Sequence, residues 1–398
     1  MDVAKFFNEI VTNFGTPTYV YKQEIIEQQA KTLMENIRYE PKSLLYAIKA
    51  NSNPAIIQLI NSLGFGFDCV SCGEIFKVRK YAPTAPILFT PNNITDYEMF
   101  YADEKKASFN IGSLSRLEKF GKANVGSNIC VRINTEFGAG HHPHCVTGGK
   151  DSKFGIWHAD IPSIKEICEE YNLNVVGLHQ HIGSGILDPD IFLQAMEPLM
   201  KIAYNFEGLD FINFGGGFGI PYKQIEFHLN MPELGKRISE RFAKFCKEYG
   251  KELKLIFEPG RFLVGPAGCL LVKVNTIKKI PDGKTFVGVA SGQTHLLRPA
   301  LYRSYHKILN LSNPNGKEEL CSVAGNICES GDILGDQILL PKVREGDILA
   351  IMDAGAYGFS MSSHYNSQPR PAEVMIGQNG SLKLIRPRET YEEAAERS

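Results

Sequence analysis

Eight short apolar runs recur between residues 43 and 264, and each is followed by a polar or helix-like stretch. Residues 161–171 and 231–249, which lie between runs, have the apolar spacing of amphipathic helices. Eight strand–helix units in this length predict a TIM-type (β/α)8 barrel. A doubly wound sheet is the alternative, but no Gly-x-Gly-x-x-Gly follows the first run. The eight runs are residues 43–51, 66–71, 85–90, 107–113, 128–134, 174–184, 211–219 and 254–264.

The most unusual residues lie at or just past the ends of these runs. In a barrel the carboxyl ends of all strands meet at one mouth. We therefore expect these residues to converge on one site, although they come from strands around the whole barrel. They are Lys49, Asp68, Arg132, His181, the glycines at 215–217, and Glu258.

The chain changes character after about residue 270. Residues 271–277 and 284–289 alternate with the period of strands, and 347–352 follow a Glu-Gly turn, so we predict a β-rich second domain. Residues 18–21 form another short strand that we expect to join it. The predicted division is a barrel at 26–270 and a β-rich domain made of 1–25 and 271–398. The charged tail at 389–398 is expected to fray.

Charge and composition exclude several classes of protein. The net charge is −1 and no run of Lys or Arg is present, so no nucleic-acid partner is expected. The acidic N-terminal segment is not expected to be a signal peptide, and no apolar stretch is long enough to span a bilayer. Nine cysteines without a regular framework indicate reduced thiols and a cytoplasmic protein.

Lys49 ends the first apolar run. Burying an ammonium group there is costly unless something pairs with it or removes its charge. Buried lysines act as nucleophiles, most often by forming a Schiff base with an aldehyde. The alternative is a lysine at a strand end whose head reaches water.

Glu258 opens Glu258-Pro259-Gly260-Arg261 at the end of the eighth run. A carboxylate in this position favours a protonated ring nitrogen, and Gly260 allows close approach of the backbone to a ligand. The alternative is a Pro-Gly turn with a surface Glu–Arg pair.

The three glycines at 215–217 follow a buried strand and are typical of a phosphate cradle, in which successive backbone N–H groups face one anion. Ser184 adds a hydroxyl for the same phosphate, and His181 is suited to lie flat on an aromatic ring. The alternatives are a flexible loop and an ordinary core histidine.

Two segments of the second domain carry further polar groups. Cys328 and Glu329 are adjacent in Cys-Glu-Ser-Gly-Asp, where a thiol can donate a proton and a carboxylate can bind an ammonium group. Arg298 and Tyr302 lie four residues apart on one turn, and an arginine fork suits a carboxylate. A polar turn is the alternative for the first segment.

Two other patterns suggest metal sites only weakly. Cys69 and Cys72 have C-x-x-C spacing but no second pair. The histidines at 141, 142 and 144 lie in a Gly-rich loop without acidic or cysteine partners at metal spacing. We predict no metal.

Taken together, these motifs resemble the alanine-racemase-fold decarboxylases that use pyridoxal 5′-phosphate (PLP, fold type III). The resemblance extends from about residue 15 to about residue 386. It implies a (β/α)8 barrel, a C-terminal β-rich domain and a head-to-tail homodimer with shared active sites. The matching segments are 46–53, 66–74, 147–156, 177–184, 215–219, 258–261, 298–302, 328–332, 354–357 and 365–374.

The resemblance also implies a role for each matching residue around the cofactor. Lys49 would bind PLP as a Schiff base, His181 would stack on the ring, and Glu258 would hold the ring nitrogen. Asp68 and Arg132 would line the barrel around Lys49. The phosphate would be held by Ser184, Gly217, Gly260, Tyr357 and the amide of Arg261.

The implied substrate contacts come mainly from the second domain. Arg261, Arg298 and Tyr302 would bind a distal carboxylate, with Tyr357 beside them, and Glu329 would bind a distal ammonium. Cys328 would come from the partner subunit and protonate the product.

The Cys-Glu-Ser-Gly-Asp segment resembles family members that convert meso-2,6-diaminopimelate to L-lysine and carbon dioxide, the last step of lysine biosynthesis. The alternatives are decarboxylation of another amino acid, such as ornithine or D-lysine, or of a carboxylated polyamine or siderophore precursor. A racemase is disfavoured, since racemases usually place arginine at the ring nitrogen. A non-catalytic regulatory relative is the remaining alternative.

Overall fold

The computed structural model describes residues 3–140 and 147–397. The chain forms two compact units. The barrel unit comprises Ala30–Ile220 and His228–Gly260, and the sheet unit comprises Met1–Gln29, Pro221–Phe227 and Arg261–Ser398. Among the described residues, no helix combines the length and apolar character needed to cross a bilayer.

The strands of the described residues are numbered in chain order. They are β1 Thr18–Lys22, β2 Lys42–Ala47, β3 Gly66–Cys69, β4 Ile87–Phe89, β5 Ser108–Ile111, β6 Asn128–Asn134, β7 Ile156–Trp157, β8 Asn174–His179, β9 Phe211–Asn213, β10 Lys254–Phe257, β11 Gly268–Lys279, β12 Thr285–Val289, β13 Ile308–Asn310, β14 Glu318–Ala324, β15 Ile333–Pro341, β16 Ile348–Ile351, β17 Ala372–Ile376 and β18 Leu382–Arg386.

The helices begin mostly at residues that can cap them. Ser71, Thr95 and Ser113 each accept a backbone N–H of the first turn that follows them. The helices are α1 Phe7–Phe14, α2 Gln23–Asn36, α3 Pro54–Ser62, α4 Cys72–Tyr81, α5 Asp96–Glu104, α6 Leu114–Ala123, α7 Ile161–Glu170, α8 Pro189–Ala203, α9 Met231–Tyr249, α10 Arg261–Val264, α11 Arg298–Tyr302 and α12 Tyr391–Arg397.

The barrel unit is a closed ring of eight parallel strands. Its order is β2, β3, β4, β5, β6, β8, β9 and β10, and β10 pairs back onto β2. The short β7 adds to the free end of β6. The prediction of a (β/α)8 barrel is therefore confirmed, and the strand ends that carry the unusual residues meet at one mouth.

A layer of apolar side chains fills the inside of this barrel. Leu45, Leu88, Cys130 and Ile256 form a buried cluster against which Phe211 packs. Gly177 on β8 makes room for Phe211, because a Cβ at 177 would lie 2.1 Å from the ring of that phenylalanine. The barrel interior is therefore a packed core, and the residues at its mouth stand on rigid strand ends.

The sheet unit contains a nine-stranded, mainly antiparallel sheet. Along its main path the order is β15, β14, β12, β11, β1, β17 and β18, and β16 joins β13 to β11. The N-terminal β1 pairs antiparallel with β11 and parallel with β17, so its predicted place in the β-rich domain is confirmed.

The C-terminal tail does not fray as expected over its whole length, because residues 391–397 form α12. Thr390 accepts the N–H of Glu393, and the carboxylate of Glu393 accepts the N–H of Thr390. This reciprocal pair caps the helix, and Ala394 is fully buried. Charge alone therefore gave the wrong prediction for this segment.

Candidate active site

A cavity of about 410 Å³ lies at the mouth of the barrel unit. Five predicted site residues line it, together with residues that the sequence did not single out, so the predicted convergence is found for this group. The five are Lys49, Asp68, Arg132, His181 and Glu258; the others include Thr90, Lys153, Phe154 and His179.

Lys49 lies in a short 3-10 turn immediately after β2 and is paired with Asp68 on β3. Its Nζ is 3.0 Å from Asp68 Oδ2, and Asp68 is 1 % exposed. The Oδ1 atom of Asp68 is buried and has no hydrogen-bond partner among the residues described. Burial raises the pKa of Asp68, as does nearby Glu258, while Lys49 opposes the change. A cationic amine is thus held against a carboxylate at the cavity wall.

Glu258 follows β10 and is 4 % exposed. Its Oε1 accepts a hydrogen bond of 2.7 Å from Asn213 Nδ2, and its Oε2 lies 3.1 Å from His179 Nε2. Burial raises the pKa of Glu258, whereas Lys49, Asn213 and Arg132 act in the opposite direction. A carboxylate fixed in this way can bind a cationic ring nitrogen.

The glycine loop after β9 differs in part from the predicted phosphate cradle. The Gly215 N–H donates to Asn213 Oδ1 over 2.8 Å, and the Gly216 N–H donates to His181 Nδ1 over 3.1 Å. These two amides are therefore turned toward protein groups, and the expectation that successive amides of the loop face one anion is wrong for them. Of the three glycines, only the amide of Gly217 stays a candidate phosphate donor.

The hydrogen bond from the Gly216 N–H fixes the tautomer of His181. Burial lowers its pKa well below the usual range, and the nearby Lys49 and Arg132 lower it further. The neutral ring accepts a hydrogen bond from the Gly216 N–H at Nδ1, so its own hydrogen is on Nε2.

Ser184 and Gly217 lie on two loops that are hydrogen-bonded to each other. The N–H of Ile186 donates to the carbonyl of Gly217 over 2.9 Å, and Ile186 and Phe218 form a parallel bridge. Gly217 has φ +112°, and a Cβ there would lie 3.2 Å from Ile186 Cδ1. The backbone at 217 therefore requires glycine.

Gly260 is also held closely by the barrel. A Cβ there would lie 3.2 Å from the Cβ atoms of both Ala47 and Ala50. The amide of Ala47 donates to the carbonyl of Pro259 over 3.1 Å, which joins the end of β10 to the end of β2. This contact places Glu258 and Lys49 on neighbouring strand ends.

Arg132 on β6 is 7 % exposed, and its guanidinium carbon lies 4.6 Å from the centre of the Phe154 ring. Burial lowers its pKa to about 10, while Glu258 and Asp68 act to raise it. The side chain remains a cation at neutral pH and adds positive charge to the wall that holds these acids.

In the sheet unit, Arg298 and Arg261 are both in contact with Tyr222. The Tyr222 hydroxyl accepts from Arg261 Nη1 over 2.8 Å, and its ring centre is 4.7 Å from the guanidinium carbon of Arg298. Arg261 also lies over the Tyr357 ring, 4.8 Å from its centre. Two predicted carboxylate-binding arginines are therefore brought together.

Arg298 is held by a neutral histidine. Its Nη1 donates to His306 Nε2 over 2.8 Å, and His306 Nδ1 donates to the carbonyl of Met352 over 2.8 Å. Burial, with help from Arg298 and Arg261, lowers the pKa of His306 to about 3. Arg298 is 1 % exposed, and its Nη2 is buried with no hydrogen-bond partner in the part of the chain that is described.

Cys328 and Glu329 lie on an exposed loop between β14 and β15. The thiol of Cys328 donates to Asn366 Oδ1 over 3.3 Å, and Glu329 Oε1 accepts from the Tyr365 hydroxyl over 2.8 Å. Asp332 at the base of the loop accepts from the amides of Gln293 and Ile327. The loop is thus anchored at its base and presents a thiol and a carboxylate on its surface.

Tyr302, the remaining predicted residue, is half-buried at the end of α11, one turn after Arg298.

Neither of the weak metal patterns gains support from the structure. Cys69 and Cys72 are free thiols, and no group of metal-ligating side chains occurs within residues 3–140 and 147–397. The histidines at 141, 142 and 144 lie outside the described residues.

Four residues of these clusters were missed in the sequence. His179 and Asn213 are the last residues of β8 and β9, and this position was a usable signal because the carboxyl ends of the barrel strands meet at the mouth. Tyr222 and His306 contact their arginines only through the tertiary fold, and no local pattern distinguishes them.

The comparisons with known proteins agree with this geometry. Residues 23–265 match the family described as "Pyridoxal-dependent decarboxylase, pyridoxal binding domain". The chain belongs to the pyridoxal-dependent decarboxylase family.

Within that family the chain is similar to diaminopimelate decarboxylases. It is 42 % identical to the one from Methanothermobacter thermautotrophicus, covering 96 % of this chain and 91 % of the relative. It is 36 % identical to that of Escherichia coli K12, over 96 % and 93 % of the two chains. The crystal structure of the Helicobacter pylori enzyme complexed with L-lysine is 31 % identical, covers 98 % of both chains and has a TM-score of 0.90.

The residues of the barrel unit fit the cofactor of this family. Lys49 offers an amine at the cavity wall, Glu258 offers a carboxylate for the ring nitrogen, and His181 offers a neutral ring. The close approach at Gly217 and Gly260 leaves room only for backbone. The cavity therefore has the chemistry that PLP requires.

Proposed function

We propose that this protein converts meso-2,6-diaminopimelate to L-lysine and carbon dioxide with the help of PLP. The reaction class is inferred mainly from Glu258, a buried carboxylate that is held by a donor at each oxygen. An acid at the ring nitrogen keeps that nitrogen protonated, which decarboxylation needs. When bound, PLP would supply an electron sink for the electron pair that stays on the substrate carbon as carbon dioxide leaves.

The residues of the barrel unit have separable roles in this proposal. Lys49 Nζ would bind the cofactor, and its free amine would carry a proton, with Asp68 Oδ2 as its counter-ion at 3.0 Å. Neutral His181 would stack on the ring, and Ser184, Gly217 and Gly260 would hold the phosphate. Arg132 adds positive charge near the two acids.

The sheet unit supplies the groups we propose for the distal end of the substrate. Arg298 is a cation bound only to neutral partners, His306 and Tyr222, in the described structure, which leaves its charge for a carboxylate. Arg261, Tyr302 and Tyr357 bind the same end, and the carboxylate of Glu329 binds the distal ammonium. A site with this cation disfavours a substrate that lacks the second carboxylate, because the guanidinium would stay unpaired.

We further propose a head-to-tail homodimer in which Cys328 serves the active site of the partner. Its exposed position on an anchored loop supports this, since the thiol is accessible and fixed by Asn366. The protein is proposed to act in the cytoplasm, because every cysteine that the structure describes is a free thiol.

Release of carbon dioxide by the PLP-loaded protein tests the proposal. Meso-diaminopimelate is compared with ornithine, L-lysine and D-lysine at equal concentration, and Arg298→Met, which removes the charge but keeps a long side chain, is the matched variant. We expect activity on diaminopimelate alone and loss of most of it in the variant. Activity confined to another substrate contradicts the proposed specificity, and a protein that binds no PLP contradicts the chemistry.

Dimer function is tested by mixing two inactive variants, Lys49→Ala and Cys328→Ala. Mixed dimers contain one site with both residues intact, so we expect up to about a quarter of full activity to return on mixing. No recovery in a confirmed mixed dimer contradicts the shared site.

A further inference from the structure

The two residues that hold Glu258 are themselves fully buried and have no role in the proposed reaction. Asn213 on β9 and His179 on β8 are each 0 % exposed. Asn213 Nδ2 donates to Oε1 of Glu258 over 2.7 Å, and His179 Nε2 contacts Oε2 over 3.1 Å. Each carboxylate oxygen thus has one side-chain partner: Asn213 comes from β9, which is adjacent to β10, and His179 comes from β8, the next strand in the barrel.

His179 contacts Glu258 as a neutral group. Burial lowers its pKa well below the usual range, Arg132 and Lys49 lower it further, and Asp68 opposes them. A neutral imidazole carries one hydrogen, and the carboxylate can only accept, so the hydrogen is on Nε2. A neutral donor stabilises the carboxylate without cancelling its charge, which leaves a full negative charge for a cationic ring nitrogen.

Asn213 has an orientation that its surroundings dictate. The Gly215 N–H can only donate, so the atom that faces it at 2.8 Å is the amide oxygen, and Nδ2 must face Glu258. The N–H of Glu258 also donates to the carbonyl of Gly215 over 2.8 Å. One asparagine side chain therefore fixes the carboxylate to the loop that we propose for the phosphate.

We propose that His179 and Asn213 are positioning residues that keep Glu258 ionised and directed at the ring nitrogen of bound PLP. The inference rests on the proposed role of Glu258. Donors to the ionised form of an acid lower its affinity for a proton. Loss of either donor would let Glu258 take the proton that it otherwise leaves on the ring, and a less protonated ring is a weaker electron sink.

The test is the 15N chemical shift of the ring nitrogen in holoenzyme loaded with 15N-labelled PLP, recorded without substrate. His179→Phe and Asn213→Leu remove the donors, and His179→Gln restores an N–H. A hydrogen bond to a charged group is worth enough to move the ring protonation equilibrium by roughly 10- to 100-fold toward the neutral form. In His179→Phe and Asn213→Leu we expect the 15N shift to move toward that of a neutral ring, together with weaker PLP binding. In His179→Gln we expect the shift to return toward the wild-type value.

Gln180→Met is the matched control. Gln180 is equally buried beside His179, but its side chain donates to the carbonyl of Ala195. We expect this variant to lose stability and keep the wild-type 15N shift.

An unchanged 15N shift and PLP affinity in both His179→Phe and Asn213→Leu overturns the inference, and so does a neutral ring nitrogen in the unaltered holoenzyme. Should an apolar variant fail to fold, the comparison of His179→Gln with His179→Asn tests the inference instead. Only the longer amide of glutamine can reach Glu258, so we expect the 15N shift to stay near the wild-type value in His179→Gln and to change in His179→Asn. Equal shifts in these two variants overturn the inference. A protein with a protonated ring that releases no carbon dioxide from diaminopimelate refutes the proposed function and leaves this inference intact.

Discussion

Replacing His306 by glutamine tests whether Arg298 is held by a neutral partner. The native imidazole accepts from Arg298 at Nε2 and donates to the carbonyl of Met352 at Nδ1. Glutamine keeps an amide oxygen as acceptor and does not titrate. At pH 7 we expect the variant to be about 1–3 kcal/mol less stable, because the bond to Met352 is lost.

The difference in stability between the wild type and His306→Gln should shrink or change sign as the pH falls. The pKa of His306 is about 3 in the folded protein and about 6.5 in an unfolded chain. Between these values the unfolded state binds a proton that the native state excludes, so the wild type loses stability on acidification. The loss is about 1.4 kcal/mol per pH unit, or about 2.5 kcal/mol between pH 7 and pH 4.5.

Urea unfolding of both proteins at several pH values from 7 to 4.5 measures this difference. We expect the wild type to lose about 2–3 kcal/mol relative to the variant across the range. His295 is a second buried histidine, and burial lowers its pKa to about 4. The stability of the wild type relative to His295→Gln should therefore show a similar dependence on pH. A difference for His306→Gln that is independent of pH refutes the neutral, buried state of His306.

Three further substitutions address other contacts. Tyr222→Phe removes the acceptor of Arg261 Nη1, so KM for diaminopimelate should rise about tenfold with little change in kcat; an unchanged KM contradicts the role of this contact. Cys328→Ser replaces the thiol by a much weaker acid, so kcat should fall about 100-fold or more with KM nearly unchanged, whereas wild-type turnover contradicts the assignment of the proton donor. Thr390→Ala removes the cap of Glu393 and should cost about 0.5–2 kcal/mol in urea unfolding, compared with the conservative Thr390→Ser.

The barrel was predictable because its signals are local and repeated. Each apolar run gave a strand, and the apolar spacing of 231–249 predicted α9 with its observed bounds. The five predicted residues that line the cavity followed from one geometric fact, that the carboxyl ends of parallel barrel strands share a mouth. The strands β11, β12 and β16 were likewise predicted from alternation and a turn.

The features that the sequence did not reveal depend on contacts between distant segments. The glycine pattern indicated amides facing an anion, but two of them instead bind Asn213 and His181, which compete for the same donors. His306 is brought to Arg298 and Met352 by the fold of the sheet unit. The tail was misjudged because a capping pair and one buried alanine outweigh its charge.

Mapping the cofactor on the chain tests the central claim most directly. The PLP-loaded protein is reduced with borohydride, which fixes a lysine-bound pyridoxal, and the labelled peptide is identified by mass spectrometry. We predict one pyridoxyl group per chain, on Lys49, and none in Lys49→Ala. A label on another lysine, such as Lys153 in the same cavity, or no label at all, would contradict the assignment of this barrel mouth as the active site.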